Sequence, residues 1–410
     1  MDCFYLLRWW IIGAMMTGIV ADRLGRKVGL LWNNITILIG VILIGFAKPC
    51  GYYEMLIVGR FFVGINSGLN AGLTPMYLAE ISPSHLRGAI GTVYQLVVTI
   101  SILISQILGL GSLLGTSAMW PWLLSCTIIP AIFQVCTLPI CPESPKFTLL
   151  NKGKEIEAQR ALTWFRGTIE VHEELDEMRA EYEQMKAVPK PSLKEMFTVS
   201  LRMPLIISCM MMVAQQLSGI NAVIFFSTKI FQSAGLTGST AQLATLGMGA
   251  MNVVMTLVSL VIVEKAGRKT LLLFGFSGMF IDVFLLFLCI LFKDSASWIS
   301  YFSIILVVMF VVMFASGPGS IPWFLVSELF NSGARPMATS IAVAVNWTSN
   351  FIVGWSFLPL QVLLGPYVFI IFTVLLGLFV IFIWFKVPET KNKTAEEIAA
   401  MFRQRSYTQG

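Results

Sequence analysis

Apolar runs long enough to cross a hydrocarbon core of roughly 30 Å recur along nearly the whole chain. Five fall near 4–21, 29–46, 55–77, 90–112 and 120–140. Six more follow near 204–226, 242–263, 271–292, 300–323, 338–362 and 367–385. The pattern predicts an all-α membrane protein with eleven spans. The hydrophilic segment from Cys141 to Met203 separates the two groups, with ten basic and eleven acidic residues and helical spacing around Glu155–Met185. It predicts short helices packed under the bundle. The expected organisation is thus a five-span bundle over 1–140, a helical linker over 141–203, a six-span bundle over 204–385 and a polar tail over 386–410.

Three polar loop signatures occur twice, a little over 240 residues apart. DRLGRK at 22–27 returns as EKAGRK at 264–269, EISPSHLRG at 80–88 returns as ELFNSGARP at 328–336, and PESPKF at 142–147 returns as PETK at 388–391. Duplicated loops at one offset in an apolar chain imply two related membrane bundles, an architecture common among secondary transporters. The halves are unequal. Two spans precede EKAGRK but one precedes DRLGRK, so the partner of the 204–226 span is expected before Met1, and the first helix of a twelve-span pattern is missing.

The composition agrees with a membrane protein: 56% hydrophobic, 12% charged, mean hydropathy +0.79. If the loop bearing Arg23, Arg26 and Lys27 is cytoplasmic and the spans alternate, twenty-three of the twenty-eight basic residues lie inside. Lys48, Lys229 and Lys293 lie outside, and Arg8 and Arg60 lie in or beside spans. The C-terminus is then cytoplasmic and the N-terminus extracellular. The net charge of +6 is this inside bias and points to lipid rather than nucleic acid. No cleavable signal peptide is evident. Seven cysteines are scattered without metal spacing, and His85 and His172 form no triad or cluster, so neither a metal, a cofactor nor an enzyme is predicted.

The polar residues inside apolar spans carry the candidate chemistry. QQLSGIN at 215–221 puts three amides on one span, where an unpaired amide costs several kcal/mol. They must face a cavity or a neighbouring helix. Amides are neutral and both donate and accept, as vicinal hydroxyls require; helix-to-helix bonding is the competing reading. Isolated amides at Gln95, Gln106, Asn252, Asn346 and Asn350 extend the outline of an uncharged midplane site for a neutral, hydroxyl-rich ligand. In GPGSIPW at 317–323, Pro318 and Pro322 remove helix hydrogen bonds, which predicts a broken span. Trp323 follows the break, where an indole can cover the apolar face of a pyranose or anchor at an interface.

QQLSGIN, GPGSIPWF at 317–324, NWTSN at 346–350, PESPKF, PETK and the duplicated loops resemble the facilitative glucose transporter (sugar porter) family of the major facilitator superfamily. The likeness runs from about Ile12 to Lys391. It implies the major facilitator fold and passive transport of hexose by alternating access, typically at the plasma membrane. It also implies sugar contacts at Gln95, Gln215, Gln216, Asn221, Asn252, Trp323 and Asn346, with Gly319 and Trp347 close by. The QLS triplet and Trp323 are similar to glucose-selective members, so D-glucose is favoured over fructose. At the cytoplasmic ends, Asp22, Arg23, Arg26, Glu80 and Arg87 in one half match Glu264, Arg268, Glu328 and Arg335 in the other. The family pattern implies that Glu143 and Glu389 join them in ion pairs that close the inside.

Four features depart from the family. The first helix is absent, Ala315 stands where a sugar-contacting glutamate is usual, Ser320 replaces a proline, and Asp282 is an acid within the 271–292 span. Residues 1–10 also do not resemble the family. A proton-coupled symporter and a transport-dead sugar sensor are the alternative functions.

Overall fold

The computed structural model describes residues 2–187, 191–233, 236–292 and 294–407. Met1 and Lys293 lie outside them, as do the side chains of Cys3, Arg8 and Lys229. The described chain is helical: α1 (Asp2–Arg23), α2 (Arg26–Cys50), α3 (Tyr53–Ile81), α4 (Arg87–Leu108), α5 (Trp120–Ser125) and α6 (Ile128–Thr137). Three shorter helices follow, α7 (Pro145–Leu150), α8 (Glu155–Arg166) and α9 (His172–Ala187). The second half holds α10 (Val199–Leu217), α11 (Ile220–Ser233), α12 (Gly238–Ala266), α13 (Arg268–Leu291), α14 (Trp298–Ser316) and α15 (Ile321–Leu329). It ends with α16 (Arg335–Leu364), α17 (Val368–Lys386) and α18 (Ala395–Tyr407).

Among the described residues nine stretches are long and apolar enough to cross a membrane. The last, Arg335–Lys386, contains both α16 and α17, divided at Gly365–Tyr367. Helix α1 covers the predicted 4–21 span. Apolar side chains such as Trp32, Phe133, Val362 and Trp384 face outward. In water such surface would be costly; in lipid it is the expected exterior.

Besides the two-residue turn at Cys126–Thr127 that divides 120–140 into α5 and α6, two of the spans are interrupted. GPGSIPW behaves as its prolines predict, with α14 ending at Ser316 and α15 starting at Ile321. The 204–226 span, predicted as continuous, also breaks, between Leu217 and Ile220. Gly219 sits there at φ +94°, a conformation that disfavours any side chain.

Helices α1, α2 and α3 share a small core around Leu30, Leu73 and Met76. A larger core built on Phe276, Phe310, Phe324 and Leu376 fills the second half. The two sets meet where α1 packs on α16 and α4 on α12. The Gly18 amide donates to Ser340 Oγ at 2.6 Å across the first contact. Where α4 meets α15, a side chain at Gly91 would strike the Phe324 ring. The duplicated loops lie together at one end, the loop-motif face. Under it α7, α8 and α9 pack around Leu149, Ala158, Leu175 and Met178, and Arg166 donates to the Ile81 carbonyl at 2.8 Å.

Candidate functional site

Both helix breaks meet at a cluster of amides. Gln215 and Gln216 occupy the last turn of α10, and Asn221 the first turn of α11. Gln215 Nε2 donates to the carbonyls of Gly319 (2.8 Å) and Pro318 (3.2 Å), which the α14–α15 break leaves without helical partners. Its Oε1 accepts from Asn346 Nδ2 at 2.8 Å. Gln216 donates to Asn346 Oδ1 at 2.9 Å and accepts from Asn221 and, at 3.3 Å, from Asn350. Three helices, α10, α11 and α16, and both breaks are therefore joined through neutral amides.

The cluster has an inner and an outer part. Asn346 is fully buried, and both its amide atoms are engaged. That is the bonding expected of a structural residue. Asn350 differs, since its Oδ1 is buried without a hydrogen-bond partner. Asn252 on α12 likewise has an unpartnered Oδ1. Such acceptors are costly to leave unpaired.

Trp323 is 7% exposed and meets Tyr94 of α4 edge-on at 5.3 Å and Trp347 of α16 at 6.4 Å. Gln95 follows Tyr94 in sequence and is buried. Neither Gln95 nor Asn252 is joined to the amide cluster by a hydrogen bond among the described residues. The site lining is thus uncharged, with aromatic rings beside amides.

The loop-motif face repeats one design twice. Arg26 Nη2 pairs with buried Glu80 at 2.7 Å, and Arg268 Nη2 with buried Glu328 at 2.9 Å. Ser144 donates to Glu80 as Thr390 donates to Glu328. Glu143 and Glu389 correct the sequence expectation: neither forms a side-chain ion pair among the described residues. Glu143 accepts from the main-chain N–H groups of Arg26 (3.1 Å) and Lys27 (3.0 Å), and Glu389 from those of Arg268 (2.9 Å) and Lys269 (3.1 Å). The first amides of α2 and α13 have no helical acceptor, and a carboxylate satisfies them and the helix dipole together. Gly25 and Gly267 make room. A Cβ at either would lie 2.6 Å from a carboxylate oxygen, and φ is +94° and +87°.

Two bonds cross between the halves here. Arg335 Nη1 reaches Glu80 Oε1 at 3.5 Å, and Ala89 N–H donates to Glu264 Oε1 at 2.9 Å. Glu264 also pairs with Arg268 at 3.3 Å. Arg87, expected to pair like Arg335, forms no ion pair among the described residues, and its Nε is buried without a partner. Asp22 accepts from Asn151 at 3.4 Å, and Arg23 is exposed.

Comparison with known proteins decides the family. The model of the family described as sugar (and other) transporter matches residues 9–402. The chain belongs to this sugar transporter family. It is 47% identical to the facilitated glucose transporter protein 1 of Caenorhabditis elegans over 399 residues, 96% of this chain and 78% of that protein. The facilitated glucose transporter member 1 of Gallus gallus is 46% identical, covering 96% of this chain and 80% of its own length. The proton:xylose symporter XylE bound to 6-bromo-6-deoxy-D-glucose superimposes with a TM-score of 0.83 at 24% identity, over 97% of this chain and 88% of that one. The fold is that of the major facilitator superfamily, and the family consists of transporters rather than enzymes.

Sequence reasoning missed several working parts of this sugar transporter. Asn350 was visible only as an isolated amide, and its bond to Gln216 depends on how α16 packs on α10. Tyr94 carried no signal apart from lying beside Gln95. Glu181 of α9 looked like one charge among many. It accepts from Lys146 Nζ at 2.8 Å and from the Ser332 amide of the second half at 3.3 Å. Burial alone would raise its carboxyl, but Lys146, the Ser332 hydrogen bond and Arg335 hold it at about 2.

Proposed function

We propose that this transporter moves hexose, with D-glucose the favoured substrate, by facilitated alternating access. The amide cluster carries this reading. It spans two broken helices, offers neutral donors and acceptors, and has aromatic rings beside it. Unpaired acceptors on Asn350 and Asn252 suit hydroxyl donors, and none of the residues named for the site carries a charge. In this reading Gln95, Gln215, Gln216, Asn221, Asn252 and Trp323 form the sugar site, with Asn346 holding Gln215 and Gln216 in place and Gly319 and Trp347 supporting it.

The names of the 46–47% identical relatives favour glucose. The two bundles, 1–140 and 204–385, would rock about the site, with 141–203 as a cytoplasmic brace and 386–410 as a cytoplasmic tail. The loop-motif face is then the inner side of the plasma membrane. Its ion pairs form a latch that is closed here and opens when the inside gate opens.

Proton coupling is the second reading, favoured by the shared fold with a proton:xylose symporter. Uptake of labelled D-glucose into proteoliposomes, with and without an imposed pH gradient, separates the two. Uptake indifferent to the gradient supports facilitated transport. Accumulation above the outside concentration driven by the gradient overturns it.

A further inference from the structure

Asp282 lies within α13 and belongs neither to the amide cluster nor to the ion-pair layer. It is 7% exposed, and its Oδ2 is buried without a hydrogen-bond partner. The carboxyl lines a small cavity with room for about one water molecule. Phe310 of α14, Phe357 of α16 and Phe369 and Phe372 of α17 wall it, and Ser218 and Gly219 of the α10–α11 break close it. Ser218 is the only other polar side chain in the lining. Among the described residues the lining holds no other titratable or charged side chain.

A carboxylate facing aromatic rings without a counter-charge is strongly disfavoured in a membrane interior, whereas a neutral acid fits there. The cavity is also coupled mechanically to the amide cluster. Ser218 donates to the Gln215 carbonyl at 2.8 Å. Gly219 approaches Phe372 so closely that a Cβ would lie 3.3 Å from its ring. A tilt of α11 at Gly219 would therefore open the cavity wall and move Asn221 away from Gln216 together.

We propose that Asp282 is a proton-binding site that reports the state of the α10–α11 hinge. With the hinge closed over the cavity, as here, Asp282 holds a proton. When α11 tilts, water enters, the O–H bond breaks, the proton passes to that water and the carboxylate is hydrated. Sugar bridging Gln216 and Asn221 favours the closed hinge, and by linkage it favours the bound proton. This last step rests on the sugar-site reading; the proton site itself does not.

Infrared spectroscopy of the reconstituted full chain tests the proposal. A protonated-carboxyl carbonyl band is expected at neutral pH, absent in Asp282→Asn and lost on raising the pH. Saturating D-glucose should shift its midpoint upward by about half a pH unit, a roughly threefold gain in proton affinity. If Asp282→Asn fails to fold, displacement of the band in Asp282→Glu makes the assignment. Absence of the band at neutral pH, or a band indifferent to pH, overturns the proposal. A titrating band that does not move in protein shown to bind D-glucose overturns the link to the hinge. Failure of the sugar reading itself would appear separately, as no D-glucose binding with the band intact.

Discussion

Arg335 and Arg26 converge on the same oxygen of Glu80, at 3.5 Å from the second half and 2.7 Å from the first. One buried carboxylate therefore both holds its own bundle together and catches the other. The inner bond is shorter and is backed by Ser144 on the second oxygen. The outer one is the bond that can break without unfolding either half.

Substitutions at this junction should separate. Glu80→Ala leaves Arg26 buried and unpaired, and removing one partner of a buried pair costs about 3–5 kcal/mol. A large fall in melting temperature of the detergent-purified protein is expected. Arg335→Leu should lower it much less while increasing thiol labelling of a cysteine placed at the loop-motif face. Equal melting temperatures for the two variants would refute this division.

Gly25→Ala and Gly267→Ala should destabilise similarly, by about 1–3 kcal/mol each, because a left-handed backbone and a displaced helix-capping carboxylate combine. Thermal melts of both variants check this. A variant as stable as the parent would show that the close approach of Glu143 or Glu389 is dispensable.

Gln216→Leu and Asn346→Ala distinguish the outer amides from the inner. Gln216 bonds to Asn221 and Asn350, whereas Asn346 is sealed within the bundle. Gln216→Leu should weaken D-glucose binding about tenfold, the equivalent of one or two hydrogen bonds, with the fold retained. Asn346→Ala should first lower thermal stability. Isothermal titration beside thermal melts reads both, and unchanged affinity in Gln216→Leu removes that residue from the site.

Glu181 gives a pH signature. Its folded value, about 2, lies below the ordinary glutamate value of about 4.3. It therefore contributes stability at neutral pH, and that contribution is lost as pH falls from about 5 toward 2. Glu181→Gln should lower stability at pH 7 and flatten its decline in that acid window. Parallel pH profiles for the parent and the variant would contradict the clamp between Lys146 and Ser332.

The limits of the sequence follow from what each break requires. Pro318 and Pro322 cannot donate helix hydrogen bonds, so the α14–α15 interruption was readable. Gly219 alone tolerates a helix, and its positive φ beside the Phe372 ring has no mark in the local sequence. The repeat of DRLGRK, PESPKF and their partners marked two related halves, but ion pairs were the wrong chemistry for Glu143 and Glu389. Charge pairing is what sequence suggests when an acid matches a basic motif. The free amides at the starts of α2 and α13 become acceptor-seeking only once the helix ends are placed. The cross-half bond of Arg335, and its absence at Arg87, depend on an asymmetry between duplicated loops that no motif records.

Stereoselective sugar movement tests the central claim most directly. Purified 410-residue chain in liposomes should take up labelled D-glucose but not L-glucose, with Gln216→Leu cutting the D-glucose rate about tenfold and leaving the amount of folded protein unchanged. Equal entry of the two enantiomers, or no entry by folded protein, would contradict a sugar carrier built on this amide cluster.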